Sequence, residues 1–390
     1  MGLPNGLKRV FRAASAAFLF AASCSPMTWA QSVAAPPPVN ARAAELVDAS
    51  SGQVLYQKNA QEKLPMASVT KLMTLYMAVK AVNRHQVSLH DMVPADMAAY
   101  RIGGSQIWLE PGERLSVDQM LKAVAVGSAN DAAYALGAYL GGSEAAFVQQ
   151  MNETAKTLGM THTHFANPHG LPQANHYTSA HDLALLGEQA VAMPLLLHYT
   201  SMWEDRSIRN GKGGTLWLVN HNRLIRSYPG ADGLKTGFTR EAGYCMVATA
   251  KKGTTRMIVA ILGAPSGKSR AQDAAGLMSW GFQNFRTASV APAHKIMGYV
   301  EVRRGVRPRV PAEVVNPVAV TLPVADGPVT SAVTIQREVQ APVQKGQVLG
   351  WLEVKASQRI VRKVSVVAVS SVRKTTVAEL TWQYLWKIFA

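Results

Sequence analysis

Near residue 288 the hydrophobic pattern of this chain changes period, and that change limits its fold more than any other feature. From "VAPAHKIMGYV" onward apolar and polar residues alternate. Val-rich runs such as "VAVTLPV", "QVLGWLEV" and "KVSVVAV" are punctuated by Pro and Gly. Alternation with period two is the mark of half-buried strands, so residues 288–372 are expected to form a small all-β domain. Upstream, strand-like and helix-like stretches mix. "AELVDASSGQVLYQ" (44–57) predicts two strands around a Ser51-Gly52 turn. "GYCMVATA" and "RMIVAILG" predict a hairpin around Lys252-Gly253. Between these strands lies a long stretch with helical periodicity. Residues 41–287 therefore read as α+β: an antiparallel sheet flanked by helices, with a helical insertion between strands distant in sequence.

Start and stop signals place the helices. Val69, Leu72, Met73, Tyr76, Met77, Val79 and Ala81 cover most of a helix circumference, which predicts a core helix opened by Ser68. Ser116 and Gln119 form a capping-box pattern before "MLKAVAV". "SAND" (128–131) interrupts, and an Ala-rich helix runs on to Gly141-Gly142. Ser143 caps a further helix that Gly159 ends. Ser179 caps another, stopped at Pro194, and a last helix spans 269–285. Tyr134 and Tyr139 fit a helix core.

The two ends carry their own signals. Lys8, Arg9 and Arg12 precede the apolar run "AASAAFLFAA" (13–22), and "TWA" (28–30) offers small side chains for cleavage. The run is too short to span a bilayer, so residues 1–30 read as an export signal. Cys24 matches a lipoprotein cysteine poorly, because alanine stands three residues before it. Residues 31–40 are a Pro-rich lead-in. Removal of the signal leaves one cysteine, Cys245, hence no internal disulfide; with no basic neighbour it reads as a buried, inert thiol. At the other end, Arg373 and Lys374 precede a stretch in which Val377, Leu380, Tyr384 and Ile388 share a helical face beside Trp382 and Leu385. Residues 373–390 are expected to form an amphipathic helix on a membrane surface. The net charge of +16, from 40 Lys+Arg against 24 Asp+Glu, suits an anionic partner such as lipid headgroups or cell-wall polymers. There is no zinc spacing, no phosphate-cradling glycine loop and no nucleic-acid module, so no metal, cofactor or nucleic-acid partner is expected.

Three short motifs occur in order: Ser68-x-x-Lys71, Ser128-Ala129-Asn130 and Lys235-Thr236-Gly237. Serine is a weak nucleophile without a nearby base. Residues i and i+3 share a helix face, so Lys71 can reach Ser68. Desolvation or a second cation lowers a lysine pKa, and Lys235 is a candidate for that cation. A helix N-terminus adds backbone N–H groups aimed at developing negative charge. S-x-x-K alone is weak evidence: Ser371-Val-Arg-Lys374 repeats it outside any such context. K-T-G is more specific, and the three in this order point to a serine acyl-transfer site.

These motifs, with "MASVTKLMT", "VGSANDAAYALG", "FANPHGL", "ADGLKTGFTREAGYCMVATA" and "LGAPSGKSR" around them, resemble the low-molecular-mass penicillin-binding proteins that are serine-type D-alanyl-D-alanine carboxypeptidases. The likeness is detailed over about residues 40–287 and looser to the end of the chain. It implies a penicillin-binding-protein/β-lactamase-like domain. It implies also that Ser68 attacks the carbonyl between two terminal D-alanines of a peptidoglycan stem peptide, that Lys71 takes its proton, and that Ser128 hands a proton to the leaving D-alanine. Asn130 would bind the substrate backbone or Lys71. Lys235 would support the electrostatics, Thr236 and Gly237 would line a strand edge that pairs with the peptide, and the N–H groups of Ser68 and Phe238 would form an oxyanion hole. Arg270 would meet the substrate carboxylate. Some members carry a histidine after K-T-G; Phe238 stands there in this chain, so no histidine role is assumed. β-Lactams would be covalent inhibitors. Two other readings remain: a β-lactamase, and a catalytically silent wall-binding scaffold. Against the first, 161–179 holds no Glu or Asp to activate a deacylating water; against the second, Ser68, Lys71 and Lys235 are all present. The balance between carboxypeptidase and endopeptidase action stays open. His169 is expected to hydrogen-bond within its loop, and His162, His164, His176 and His181 to be solvated.

Overall fold

A computed structural model describes residues 33–209, 213–379 and 381. The expected export segment, with Cys24, and most of the expected tail helix lie outside the described residues. The sheet of the first region comprises β1 (Ala43–Asp48), β2 (Gln53–Lys58), β3 (Ala231–Thr239), β4 (Gly243–Lys252) and β5 (Thr255–Ala264), in the order β2-β1-β5-β4-β3. All its pairings are antiparallel. The Ser51-Gly52 turn and the hairpin at Gly253 form as expected. The K-T-G strand, β3, takes the edge position, with Lys235 opposite Val247 and Gly237 opposite Cys245. An edge strand keeps free backbone groups on one side, which is what an extended peptide needs.

Residues between β2 and β3 form the helical insertion. Its helices include α1 (Lys71–Asn83), α2 (Val117–Ala125), α3 (Asn130–Gly141), α4 (Glu144–Thr157), α5 (Ala180–Val191) and α6 (Pro194–Ser201); α7 (Gly267–Asn284) follows β5. Helix α1 is buried almost all round, from Leu72 and Met73 through Tyr76 to Val79, as its apolar circumference required. The Ser116–Gln119 capping box is complete, with both reciprocal bonds made. Ser143 and Ser179 cap α4 and α5. Two differences stand out. Ser68 does not open α1: it sits in a 3-10 turn, Ala67–Thr70, that leads into the helix at Lys71. Pro194 does more than stop α5, since it is the first residue of α6, where its missing N–H costs nothing.

The Val-rich part is all β, as its alternation predicts. β6 (Phe285–Ala291) runs unbroken through residues 287 and 288. Then follow β7 (Lys295–Arg303), β8 (Arg309–Val314), β9 (Val318–Pro323), β10 (Val329–Ile335), β11 (Glu338–Gln340), β12 (Val348–Ala356) and β13 (Arg359–Ala368). β6 pairs with β9, and the rest form a sheet in the order β10-β12-β13-β8-β7-β11. Val300, Val310, Leu352, Val354 and Val366 are fully buried in a core separate from the one around α1. The two regions are tied by Asp48 at the end of β1. Its buried carboxylate accepts from the hydroxyls of Thr287 and of Thr321 (2.8 Å) and from the Ser50 N–H (2.8 Å). No described helix is long and apolar enough to cross a membrane.

Candidate active site

Four elements bring the motif residues together, the entry into α3 among them. The 3-10 turn supplies Ser68, the start of α1 supplies Lys71, and β3 passes the turn so closely that only glycine fits. A Cβ at Gly237 would lie 2.8 Å from Met66 O, 2.9 Å from Val69 N and 3.0 Å from Ser68 N. Behind the turn, Gly170 has φ +91°, and a Cβ there would lie 2.1 Å from Ala67 O. Glycine is needed on both counts, left-handed backbone and close approach. The turn carrying Ser68 is thus clamped between β3 and the "NPHGL" loop.

Lys71 is fully buried. Its Nζ lies 2.9 Å from Ser68 Oγ, 2.6 Å from Asn130 Oδ1 and 2.6 Å from the His169 carbonyl. A neutral amine has two N–H donors and one lone pair. The Asn130 and His169 oxygens can only accept, so they take the two N–H groups, and the lone pair is left facing the Ser68 hydroxyl. The Asn130 amide is oriented the same way from its other end, where Nδ2 donates to Gly103 O at 2.8 Å. Burial holds the Lys71 pKa well below its ordinary value; the nearby Lys235 charge lowers it further, and Asp131 works weakly against both. Lys71 therefore has the geometry and the basicity of a proton acceptor for Ser68.

Asn130 and Ser128 owe their positions to the entry into α3. Asp131, wholly buried, accepts from the N–H groups of Ile107 (3.1 Å), Leu109 (3.1 Å) and Ala132 (2.9 Å). The Asn130 N–H donates to Ser105 O at 2.7 Å. These bonds stitch the 103–109 loop to the helix start. Ser128 has φ +54° and is 3% exposed. Lys235 Nζ donates to Ser128 Oγ at 2.9 Å and to Thr236 O at 3.1 Å. Burial, with the Arg270 charge behind it, lowers the Lys235 pKa to about 7. A chain of close contacts accordingly runs Ser68–Lys71–Asn130 on one side and Ser128–Lys235 on the other, both opening on a cleft of about 330 Å³.

Thr236, Gly237 and Phe238 line that cleft from β3. Phe238 is half exposed, and its ring lies 4.3 Å from that of Tyr244. Arg270 also lines the cleft, but one of its nitrogens is spent on the strands: Nη1 donates to the carbonyls of Gly237 and Cys245, each at 3.2 Å. Its Nε is buried without a partner among the described residues. Ser105, His221 and Tyr244 complete the wall, and none of the three carries a sequence signal; they belong to loops and a strand that only folding brings alongside. No acidic residue lines the cleft.

The remaining sequence candidates do not line it. Cys245 is fully buried in β4, and burial pushes its thiol up to about 11, in keeping with an inert group. His169 enters the site through its backbone oxygen, while its ring Nδ1 accepts from Leu171 N at 3.2 Å within the loop. The expectation of a solvated His176 is wrong: it is 7% exposed, bonded to Thr70 Oγ1 (2.8 Å) and Ala166 N (2.9 Å). His181 is paired with buried Glu45 at 3.0 Å rather than merely solvated. Ser371 and Lys374, the second S-x-x-K, are exposed in the β region, where Ser371 Oγ accepts from Lys345 N. No group of His, Cys, Asp and Glu suited to a metal occurs among the described residues.

Both regions match families of known proteins. Residues 30–266 match the sequence profile of the D-alanyl-D-alanine carboxypeptidase family, and residues 285–374 that of the penicillin-binding protein 5 C-terminal domain. The chain is 36% identical over 336 residues to the D-alanyl-D-alanine carboxypeptidase DacF of Bacillus subtilis, covering 86% of each chain. It is 33% identical over 389 residues to DacC of Escherichia coli, covering 97% of this chain and 95% of that one. Penicillin binding protein 5 from Haemophilus influenzae superposes with a TM-score of 0.76 at 29% identity, over 87% of this chain and all of that one. A Listeria monocytogenes penicillin-binding protein, solved in its ampicillin-bound form, matches with a TM-score of 0.55 at 33% identity over 64% of this chain and all of that one. The chain belongs to the D-alanyl-D-alanine carboxypeptidase family of serine peptidases.

Proposed function

We propose that this protein removes the terminal D-alanine from peptidoglycan stem peptides ending in D-Ala-D-Ala, through an acyl-enzyme on Ser68. The observation that carries the reading is the Lys71 amine, buried, depressed in pKa and 2.9 Å from Ser68 Oγ. Lys71 accepts the hydroxyl proton as Oγ attacks the penultimate carbonyl carbon. The N–H groups of Ser68 and Phe238 receive the developing oxyanion. As the C–N bond breaks, Ser128, bonded to Lys235, delivers a proton to the departing D-alanine nitrogen. Water then attacks the ester, its proton passing to the same bases, and Ser68 is restored. Asn130 keeps Lys71 aimed, Thr236 and Gly237 offer the β3 edge to the peptide, and Arg270 receives the terminal carboxylate through donors not engaged with the strands.

The cleft has no carboxylate to speed deacylation of a drug ester, which supports slow release and thus inhibition by β-lactams. Residues 41–287 are taken as the catalytic domain and 288–372 as the β domain. The protein works on the outer face of the cytoplasmic membrane, exported by residues 1–30 and held peripherally by residues 373–390; the charge of +16 supports attraction to that surface. The decisive experiment is release of D-alanine from a peptide ending in D-Ala-D-Ala, together with its abolition by Ser68→Ala. Release that survives this substitution excludes a Ser68 acyl-enzyme.

A further inference from the structure

A second cavity, of about 1050 Å³, adjoins the catalytic cleft. His221, Tyr244 and Arg270 line both. In the reading above Arg270 receives the carboxylate of the departing residue, which puts that residue at the junction of the two cavities. A D-alanine methyl leaves the second cavity empty. Its lining is one-sided in charge: Arg223 and Lys268 join Arg270, and no Asp or Glu is present. Neither Arg223 nor Lys268 is paired with a carboxylate among the described residues. Trp203 presents a partly exposed apolar face among these cations, with buried Leu224 and Met246 behind it. Methylene groups ending in an anion match such a lining: the stem covers apolar surface while the carboxylate meets the guanidinium and ammonium groups.

We infer that this cavity is a subsite for the departing residue, and that the enzyme releases C-terminal D-residues with extended, carboxylate-bearing side chains in preference to those with basic ones. The inference rests on the carboxypeptidase reading, because the position of the departing residue does. Cleavage itself is unchanged: the same C–N bond breaks, and the residue leaves as a free amino acid. Specificity set this way needs no new contact at Ser68, Lys71 or Ser128.

The test compares three synthetic peptides, diacetyl-L-Lys-D-Ala-D-Ala and its analogues ending in D-Glu and D-Lys, with the full-length enzyme. The kcat/KM for D-Glu should exceed that for D-Lys about fivefold to tenfold, which is what two part-exposed charge pairs supply. In an Arg223→Ala, Lys268→Ala double variant the ratio should fall towards unity, while D-alanine release stays within about twofold, as expected for substitutions on a solvated wall. Equal rates for D-Glu and D-Lys in the wild type, or a ratio the double variant leaves unmoved, would overturn the inference while leaving the carboxypeptidase intact. Failure of the wild type to release any of the three residues would overturn both.

Discussion

Replacement of Gly237 by alanine isolates what close packing contributes to the site. The three atoms nearest the added Cβ are backbone atoms of Met66, Ser68 and Val69, at 2.8–3.0 Å. No rotamer change relieves such contacts, so the β3 edge and the Ser68 turn must part by a few tenths of an ångström. Ser68 then sits wrongly both for Lys71 and for the Phe238 N–H on β3, the proposed partner in the oxyanion hole. Misplacement of about 1 Å costs roughly 100-fold in rate, so a shift of a few tenths of that should slow acylation about 3-fold to 10-fold, or ~0.7–1.4 kcal/mol. The fold should survive, because Gly237 lies in a regular strand, and alanine there carries no left-handed backbone penalty. The assay is stopped-flow acylation by a fluorescent penicillin, with thermal unfolding of the same preparation. Acylation within about twofold of the wild type, with Tm unchanged, would refute the claim that this contact sets the position of Ser68.

Two further perturbations test the electrostatics and the tail. Burial is the main reason the Lys71 pKa is low, and the Lys235 charge lowers it further, so in Lys235→Gln that pKa should rise. Lys71 is then neutral only at higher pH, and the acid limb of the residual acylation rate should move to higher pH; a limb that stays in place or moves down would refute the coupling. Deletion of residues 375–390 should shift the protein from the membrane fraction to the supernatant with D-alanine release retained, and unchanged sedimentation would refute an anchoring role for the tail.

Local patterns in the chain carried much of this architecture. The core helix α1 was legible because its apolar residues cover most of the circumference, and the β region because its valines alternate. Caps at Ser116, Ser143 and Ser179 were legible because a capping interaction spans only three residues. The motif order marked Ser68, Lys71, Ser128, Asn130 and Lys235 as one set, through chemistry that needs those side chains together. Contacts across large separations were not legible in this way. Nothing near His176 in sequence announces Thr70 as its partner, so a buried histidine read as a solvated one. The 3-10 turn at Ser68 is packed against Gly170 on one side and Gly237 on the other, both far from it along the chain. The place of His221 and the charge of the adjoining cavity likewise exist only once β4, α7 and the loop before β3 have met. The physical reason is range: helical and strand periodicities and caps are set by neighbours a few residues away, whereas a lysine pKa, the fit of a glycine and the wall of a cleft are set by whatever the fold brings within a few ångströms.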